Sequence, residues 1–69
     1  GQSILNNPTQ QSLFLTIFFF YSRKIINFSS SDSQINLPIQ GLQSGIYFLR
    51  IENKQDKKQV KEIKIILMN

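Results

Sequence analysis

The chain of 69 residues contains no cysteine and no histidine. A disulfide, a thiolate nucleophile, a serine–histidine pair and the common zinc and copper ligand sets are therefore excluded. The four carboxylates, Asp32, Glu52, Asp56 and Glu62, stand among polar residues or lysines, which is typical of solvated surface charge rather than of paired acid–base groups. We expect no catalytic, cofactor or metal site, and hence no enzyme.

Length limits the chain to one small domain with a marginal core. A domain of this size buries only roughly 60% of the surface that its unfolded chain exposes. Natural folds below ~70–80 residues often rely on a disulfide, a metal or a partner surface. We expect a single domain over residues 1–69, in which residues 1–11 form a lead-in strand and turn and residues 12–69 form a sandwich.

Acidic residues are few: the chain has eight Lys and Arg but only four Asp and Glu, which gives a net charge of +4. Five lysines gather towards the C-terminal end, at Lys54, Lys57, Lys58, Lys61 and Lys64. Lysines can protect a sheet edge from pairing with another sheet, or they can attract an anionic partner. Most aromatic residues lie between Phe14 and Tyr21, apart from the lysines, so we expect no nucleic-acid binding.

No hydrophobic run is long enough to span a membrane as a helix. The longest, from Leu13 to Tyr21, falls short of the about 20 residues required. Charged residues follow this run, whereas a signal peptide places them before it. The run is rich in β-branched and aromatic residues, which predicts a strand buried on both faces. With Arg23 and Lys24 it could alternatively form a membrane-interacting segment, although we expect no transmembrane segment.

The remaining apolar residues recur in short segments with the period of a strand, separated by turns. Tyr47, Leu49 and Ile51 share one face of the strand that Gly45 begins, and this face is the candidate core. Pro38 lacks a backbone donor, so its strand should lie at an edge or have that position turned away from a neighbouring strand. The other predicted strands carry the apolar residues Ile4 and Leu5; Ile26 and Phe28; Ile35, Leu37 and Ile39; and Ile63, Ile65 and Leu67.

These segments predict an all-β fold, a small antiparallel sandwich or barrel. The segment from Lys24 to Phe28 should form a hairpin with the strand before it. A second hairpin should join the strand from Gly45 with a last strand over residues 60–68. Ser29 to Ser33 should be a turn.

One stretch resembles a known family. Residues 35–51 contain an aliphatic–polar strand, the turn Leu42-Gln43-Ser44-Gly45 and the strand start Gly45-Ile46-Tyr47, and residues 63–66 form a Lys/Ile-rich end. In this order they resemble the C-terminal sorting domain of proteins exported by the type IX secretion system of Bacteroidetes. Upstream, Asn7-Pro8-Thr9 is similar to the Asn-Pro turn of that family, and residues 18–24 fall where it carries an aromatic strand and a turn.

The resemblance implies an Ig-like β-sandwich at the end of a larger cargo protein in the same precursor. Pro8 is closer to the aromatic strand than in the family pattern, so an early strand is expected to be absent or abbreviated. The chain has no initiating Met or signal peptide, which agrees with a segment from the end of a longer precursor. The implied partners are the secretion machinery of the outer membrane and a sortase-like peptidase. The implied route runs through the periplasm to the cell surface or the medium.

The resemblance also implies candidate recognition residues, which are Leu42, Gly45, Tyr47, Lys64, Ile65 and Ile66. Gly45 would permit a tight turn, Tyr47 would anchor the core, and the last strand with Lys64 would present an exposed edge. The needs of a turn and a core also explain Gly45 and Tyr47 without any recognition.

An Ig- or fibronectin-like module that binds polysaccharide or protein is the main alternative, because a shared fold does not fix a function. The exposure of the Phe14, Phe18 and Phe20 rings distinguishes the binding module from the sorting domain. A patch of these rings facing solvent would favour binding or adhesion, whereas rings buried between sheets would favour the sorting domain.

Overall fold

In the computed structural model of the protein, the described residues are 4–20 and 24–68. They form six strands and no helix. The strands are β1 (Ile4–Asn6), β2 (Leu13–Phe19), β3 (Lys24–Ser30), β4 (Gln34–Asn36), β5 (Gly45–Asn53) and β6 (Val60–Leu67). Within these ranges no helix has the length and apolarity that a membrane crossing requires.

The strands form two antiparallel sheets. The larger sheet has the order β3-β2-β5-β6, and the smaller one pairs β1 with β4. The predicted all-β antiparallel sandwich is confirmed, as are both hairpins, β2–β3 and β5–β6. Residues 9–12, between the Asn-Pro turn and β2, form no strand, in agreement with the short spacing after Pro8. The strand predicted as a lead-in lies within the sandwich, because β1 pairs with β4.

The core lies on one face of the larger sheet, which we call the inner face. Leu15, Ile17 and Leu49 are fully buried there, and Tyr47 is only 2% exposed. The smaller sheet contributes Ile35 to the same cluster. The alternation after Gly45 is confirmed, since Tyr47 and Leu49 are in the core. Each such side chain contributes roughly 1.5–3 kcal/mol through its burial.

The strand predicted around Pro38 is much shorter than expected. β4 ends at Asn36, and the Leu37 carbonyl accepts a hydrogen bond from the Ile39 amide at 2.8 Å. This i to i+2 bond forms a γ-turn centred on Pro38, whose fixed φ fits that turn and whose missing N–H cannot join a ladder. Leu37 and Ile39 still pack against the core, but as parts of a loop.

Two other segment predictions need correction. The serine turn was predicted to begin at Ser29, but β3 continues to Ser30, so this turn begins two residues later. The predicted burial of the aromatic strand on both faces is only half right, because Phe14 and Phe18 are half-buried on the face away from the core. Tyr21 and the predicted turn at Ser22 and Arg23 lie outside the described residues.

Buried asparagines fix the loops at one end of the sandwich. The Asn7 side-chain amide donates to the Gln11 carbonyl at 2.9 Å and to the Asp32 carbonyl at 3.0 Å. The Asn53 side-chain oxygen accepts from the amides of Gln55 and Asp56, which shapes the β5–β6 loop as an Asx turn. Asn7 is 4% exposed and Asn53 is 8% exposed, so each buried side-chain amide finds its hydrogen-bond partners in the backbone of the loops.

Candidate functional site

The terminal hairpin, β5 with β6, forms one side of the larger sheet. Its register pairs Gly45 with Leu67, Tyr47 with Ile65 and Phe48 with Lys64. Among the described residues, β6 has β5 as its only neighbouring strand. It therefore presents an open edge of backbone donors and acceptors over eight residues, which is the kind of edge that can pair with another chain.

The six recognition candidates divide into two structural groups. Leu42, Tyr47 and Ile65 belong to the core or pack against it, and Gly45 is half-buried at the start of β5. Lys64 and Ile66 point to the opposite face and are exposed, with Ile66 61% exposed. The structure thus brings all six into one region of the sandwich, but only Lys64 and Ile66 offer exposed side chains to a partner.

Gly45 is required by a close approach more than by the turn. A Cβ at this position would lie 3.0 Å from Cε1 of Phe19, which is shorter than van der Waals contact. Its φ is +157°. The glycine that makes the turn is Gly41, with φ +88°, at the third position of a β-turn closed by the bond from the Leu42 amide to the Ile39 carbonyl. Such a φ is typical of glycine in a type II turn.

Tyr47 links the core to the loop before β5. Its hydroxyl donates to the Gln43 carbonyl at 2.8 Å. Its ring meets Phe19 edge-to-face, with centroids 5.2 Å apart and planes at 60°, a favoured aromatic geometry. The side chain therefore holds the loop of residues 42–45 against the sheet, and these contacts within the fold are sufficient to explain a tyrosine at position 47.

The second face of the larger sheet, which we call the outer face, is unexpectedly apolar. Phe14 and Phe18 project from this face because they alternate along β2 with the residues of the inner face. Phe48 of β5 pairs with Phe18 and therefore projects from the same face. Phe18, Phe20, Phe48, Arg50 and Glu62 line a shallow concavity of about 330 Å³. The aromatic side chains of residues 14–20 are therefore not all buried between sheets, and Phe20 is 50% exposed.

Arg50 separates this concavity from a second one. The second measures about 390 Å³, and Lys54 and Lys57 line it together with Phe14, Glu52, Asn53 and Val60. Arg50 Nε lies 3.1 Å from Glu52 Oε1, an ion-pair distance, but the orientation does not form a hydrogen bond. Arg50 and Phe48 were not among the predicted site residues. The only signal for them in the sequence is their alternation with the core residues of β5.

Comparisons with known proteins identify the family of the chain. No curated protein and no solved structure matches the chain. A family model described as the secretion system C-terminal sorting domain matches residues 2–67. This range includes every strand of both sheets and the whole terminal hairpin. The chain therefore belongs to the family of C-terminal sorting domains of type IX secretion.

Proposed function

We propose that this domain directs an attached cargo protein through the type IX secretion machinery and across the outer membrane. The observation that carries the proposal is the family match over residues 2–67. In this proposal the cargo precedes the domain in the same precursor, and the domain acts as a non-catalytic signal. The machinery meets the folded sandwich in the periplasm, and the product reaches the cell surface or the medium.

The recognised surface in this proposal is the terminal hairpin. β6 supplies an open sheet edge, and Lys64 and Ile66 supply a cation and an exposed aliphatic side chain beside it. Leu42, Gly45 and Tyr47 support recognition indirectly, because they hold the loop that leads into the hairpin. An extended segment that pairs with an edge strand gains main-chain hydrogen bonds and side-chain contacts together.

A fusion tests the function directly. Residues 1–69 are placed behind a reporter with a periplasmic signal peptide in a bacterium competent for type IX secretion. We expect the reporter at the surface or in the medium, and retention in the periplasm of an intact, folded fusion would refute the function. The same fusion in a strain without the secretion machinery should remain periplasmic.

Point variants of the fusion test the recognised surface. Lys64→Glu and Ile66→Ser should lower export several-fold while leaving the thermal unfolding of the domain nearly unchanged, because both side chains are exposed. Lys58→Glu, in the exposed β5–β6 loop, is the charge-matched control, and Ile4→Ser, on β1, is the control for the isoleucine. Equal export by all four variants would show that the machinery does not read these side chains.

Cleavage by a sortase-like peptidase is the last step of the proposal. It predicts that the exported reporter lacks the 69-residue domain and is shorter than the periplasmic precursor. Mass spectrometry of both forms measures this difference. An exported reporter that keeps an intact domain would remove the peptidase from the proposal without affecting the sorting function.

A second candidate function, binding of polysaccharide or protein, is favoured by one observation. Phe14 and Phe18 lie on the outer face, away from the core, and Phe20 is half exposed. Exposed apolar patches of this kind mark interaction surfaces. Retardation of the purified domain in gels containing a neutral polysaccharide, compared with a Phe48→Ser variant, tests the polysaccharide form of this function.

A further inference from the structure

The concavity beside Phe14, which we call the cationic concavity, is positively charged. Its volume of about 390 Å³ is sufficient for a small ligand. Arg50, Lys54 and Lys57 line it with three positive charges against the one negative charge of Glu52, a net charge of +2. Arg50 and Glu52 already form an ion pair at 3.1 Å, which leaves the charges of the two lysines. This end of the outer face is therefore matched to an anionic ligand.

The loop that carries the two lysines is held in place by hydrogen bonds. The Lys54 amide donates to the Ser12 carbonyl at 2.8 Å, and the Asn53 amide donates to the Gln59 carbonyl at 3.1 Å. The Asn53 side-chain oxygen accepts from two further amides of the loop. The main chain that carries Lys54 and Lys57 is thus fixed before a ligand arrives, which lowers the cost of binding.

Both ammonium groups are available to a ligand. Lys54 Nζ donates to the Ser29 hydroxyl at 3.5 Å, which is long for a hydrogen bond. Within residues 4–20 and 24–68, the Lys57 ammonium has no hydrogen-bond or ion-pair partner. Asp56 belongs to the same loop but does not line the cationic concavity, and its carboxylate accepts from the Lys58 amide. A ligand carboxylate can therefore form charge-assisted hydrogen bonds with both lysines.

The surroundings of these cations are matched to a saccharide. The half-buried Phe14 ring lines the cationic concavity, and the negative π-face of an aromatic ring attracts the C–H groups of a sugar ring. Lys54 also lines a neighbouring concavity of about 220 Å³. The other residues lining it are Leu13 and four serines, Ser12, Ser29, Ser30 and Ser31. Serine hydroxyls both donate and accept hydrogen bonds, as the hydroxyl groups of a sugar require.

We propose that the two concavities joined by Lys54 bind an acidic polysaccharide. One sugar unit lies on Phe14 with its carboxylate towards Lys54 and Lys57, and the next unit lies over the serines. An acidic peptide bound as an added strand would need open main-chain groups, whereas β2 and β5 have a neighbouring strand on each side here. This inference does not depend on the sorting function. It also differs from the binding of a neutral polysaccharide in its site and in the charge of its ligand.

Isothermal titration calorimetry of the purified 69-residue domain with a short oligomer of galacturonic acid tests the proposal. Two control probes separate the features of this ligand. The methyl-esterified oligomer keeps the sugar rings without their charge, and oligoglutamate keeps the carboxylates without the rings. We expect both controls to bind at least about tenfold more weakly than the acidic oligomer, which is about 1.4 kcal/mol. Added salt should weaken the binding of the acidic oligomer, because it screens exposed charges.

Matched variants locate the site. The double variant Lys54→Gln with Lys57→Gln should weaken binding roughly tenfold, at about threefold for each exposed ion pair. Its control, Lys58→Gln with Lys61→Gln, removes the same charge from two exposed lysines that line neither concavity, and it should bind within about twofold of the wild type.

The aromatic contact is tested in the same way. Phe14→Leu should weaken binding several-fold, because it removes the π-face but keeps an apolar side chain. Phe18→Leu is the control, since Phe18 is also half-buried on β2 but lines the other aromatic concavity. Far-UV circular dichroism and thermal unfolding confirm that each variant is folded.

Three results would overturn the proposal. One is a folded wild-type domain that does not bind the acidic oligomer. Another is equal binding of oligoglutamate, or an equal loss in the two double-lysine variants, which would mean that any polyanion is attracted by the net charge. The third is equal binding of the esterified oligomer, which would assign the site to a neutral saccharide. If Phe14→Leu fails to fold, the lysine variants and the control probes still decide between these results.

Discussion

Replacing Tyr47 by phenylalanine separates a structural role of this residue from recognition by a partner. The change removes only the hydroxyl, which donates to the Gln43 carbonyl at 2.8 Å. The ring, its 2% exposure and its edge-to-face contact with Phe19 remain. Gln43 is exposed, so water can replace the lost donor at its carbonyl. The cost should therefore be about 1 kcal/mol, in the usual range for a single hydrogen bond.

This cost is small beside the stability of the domain but large enough to measure. A chain of this length is expected to be stable by roughly 3–10 kcal/mol. Even at the lower limit, a loss of about 1 kcal/mol leaves more than ~95% of the molecules folded, because about 1.4 kcal/mol corresponds to a factor of ten. The melting temperature should fall by roughly 4–8 °C. If Tyr47 acts only through the fold, export of the fusion should be unchanged.

The assay compares Tyr47→Phe with Ile17→Val in both thermal unfolding and export. Ile17 is fully buried on β2 and is not a recognition candidate, and the loss of one buried methyl group costs about 0.5–1.5 kcal/mol. The two variants should therefore match in stability and in export. If Tyr47→Phe blocked export while Ile17→Val did not, at equal melting temperature, the hydroxyl would be read by the machinery and the structural explanation would be refuted.

The inner face of the sandwich could be predicted from the sequence because its signal is local. Leu49 and Tyr47 alternate with half-buried residues on β5, and a period of two fixes which side chains share a face. The hairpin of β5 with β6 followed for the same reason, since a polar loop separates two alternating segments. The recognition candidates came from the family pattern, and the structure shows that most of them also meet needs of the core.

The outer face could not be predicted in the same way because its composition depends on what covers it. Phe18 lies in a continuous apolar run, and such a run indicates two buried faces whether or not a second layer exists. Only the sheet topology shows that no strand of the described residues packs over Phe18 and Phe48. The strand predicted around Pro38 was wrong for another reason. The apolar residues on either side of Pro38 alternate with polar ones as in a strand, but the fixed φ and the missing N–H of proline favour a γ-turn.

Three further changes test the local geometry. Gly45→Ala should destabilise the domain by ~1–3 kcal/mol, because the new Cβ meets the Phe19 ring at 3.0 Å and the φ of +157° is unfavourable for alanine; a smaller cost of the same change in a Phe19→Leu background would show the share of the ring contact. Gly41→Ala has open space around the new Cβ, so its cost, measured by urea unfolding, should reflect only the positive φ, about 1 kcal/mol. Asn7→Ala removes a side chain that makes three hydrogen bonds to backbone groups of two loops. Three hydrogen bonds are lost at once and the Asn7 residue is only 4% exposed, so the cost should be ~2–3 kcal/mol. Asn6→Ala, at the exposed neighbouring position, should change stability by less than about 0.5 kcal/mol. Equal losses at the two asparagines would mean that the Asn7 bonds do not hold the loops together, and that the end of the sandwich is fixed by its backbone alone.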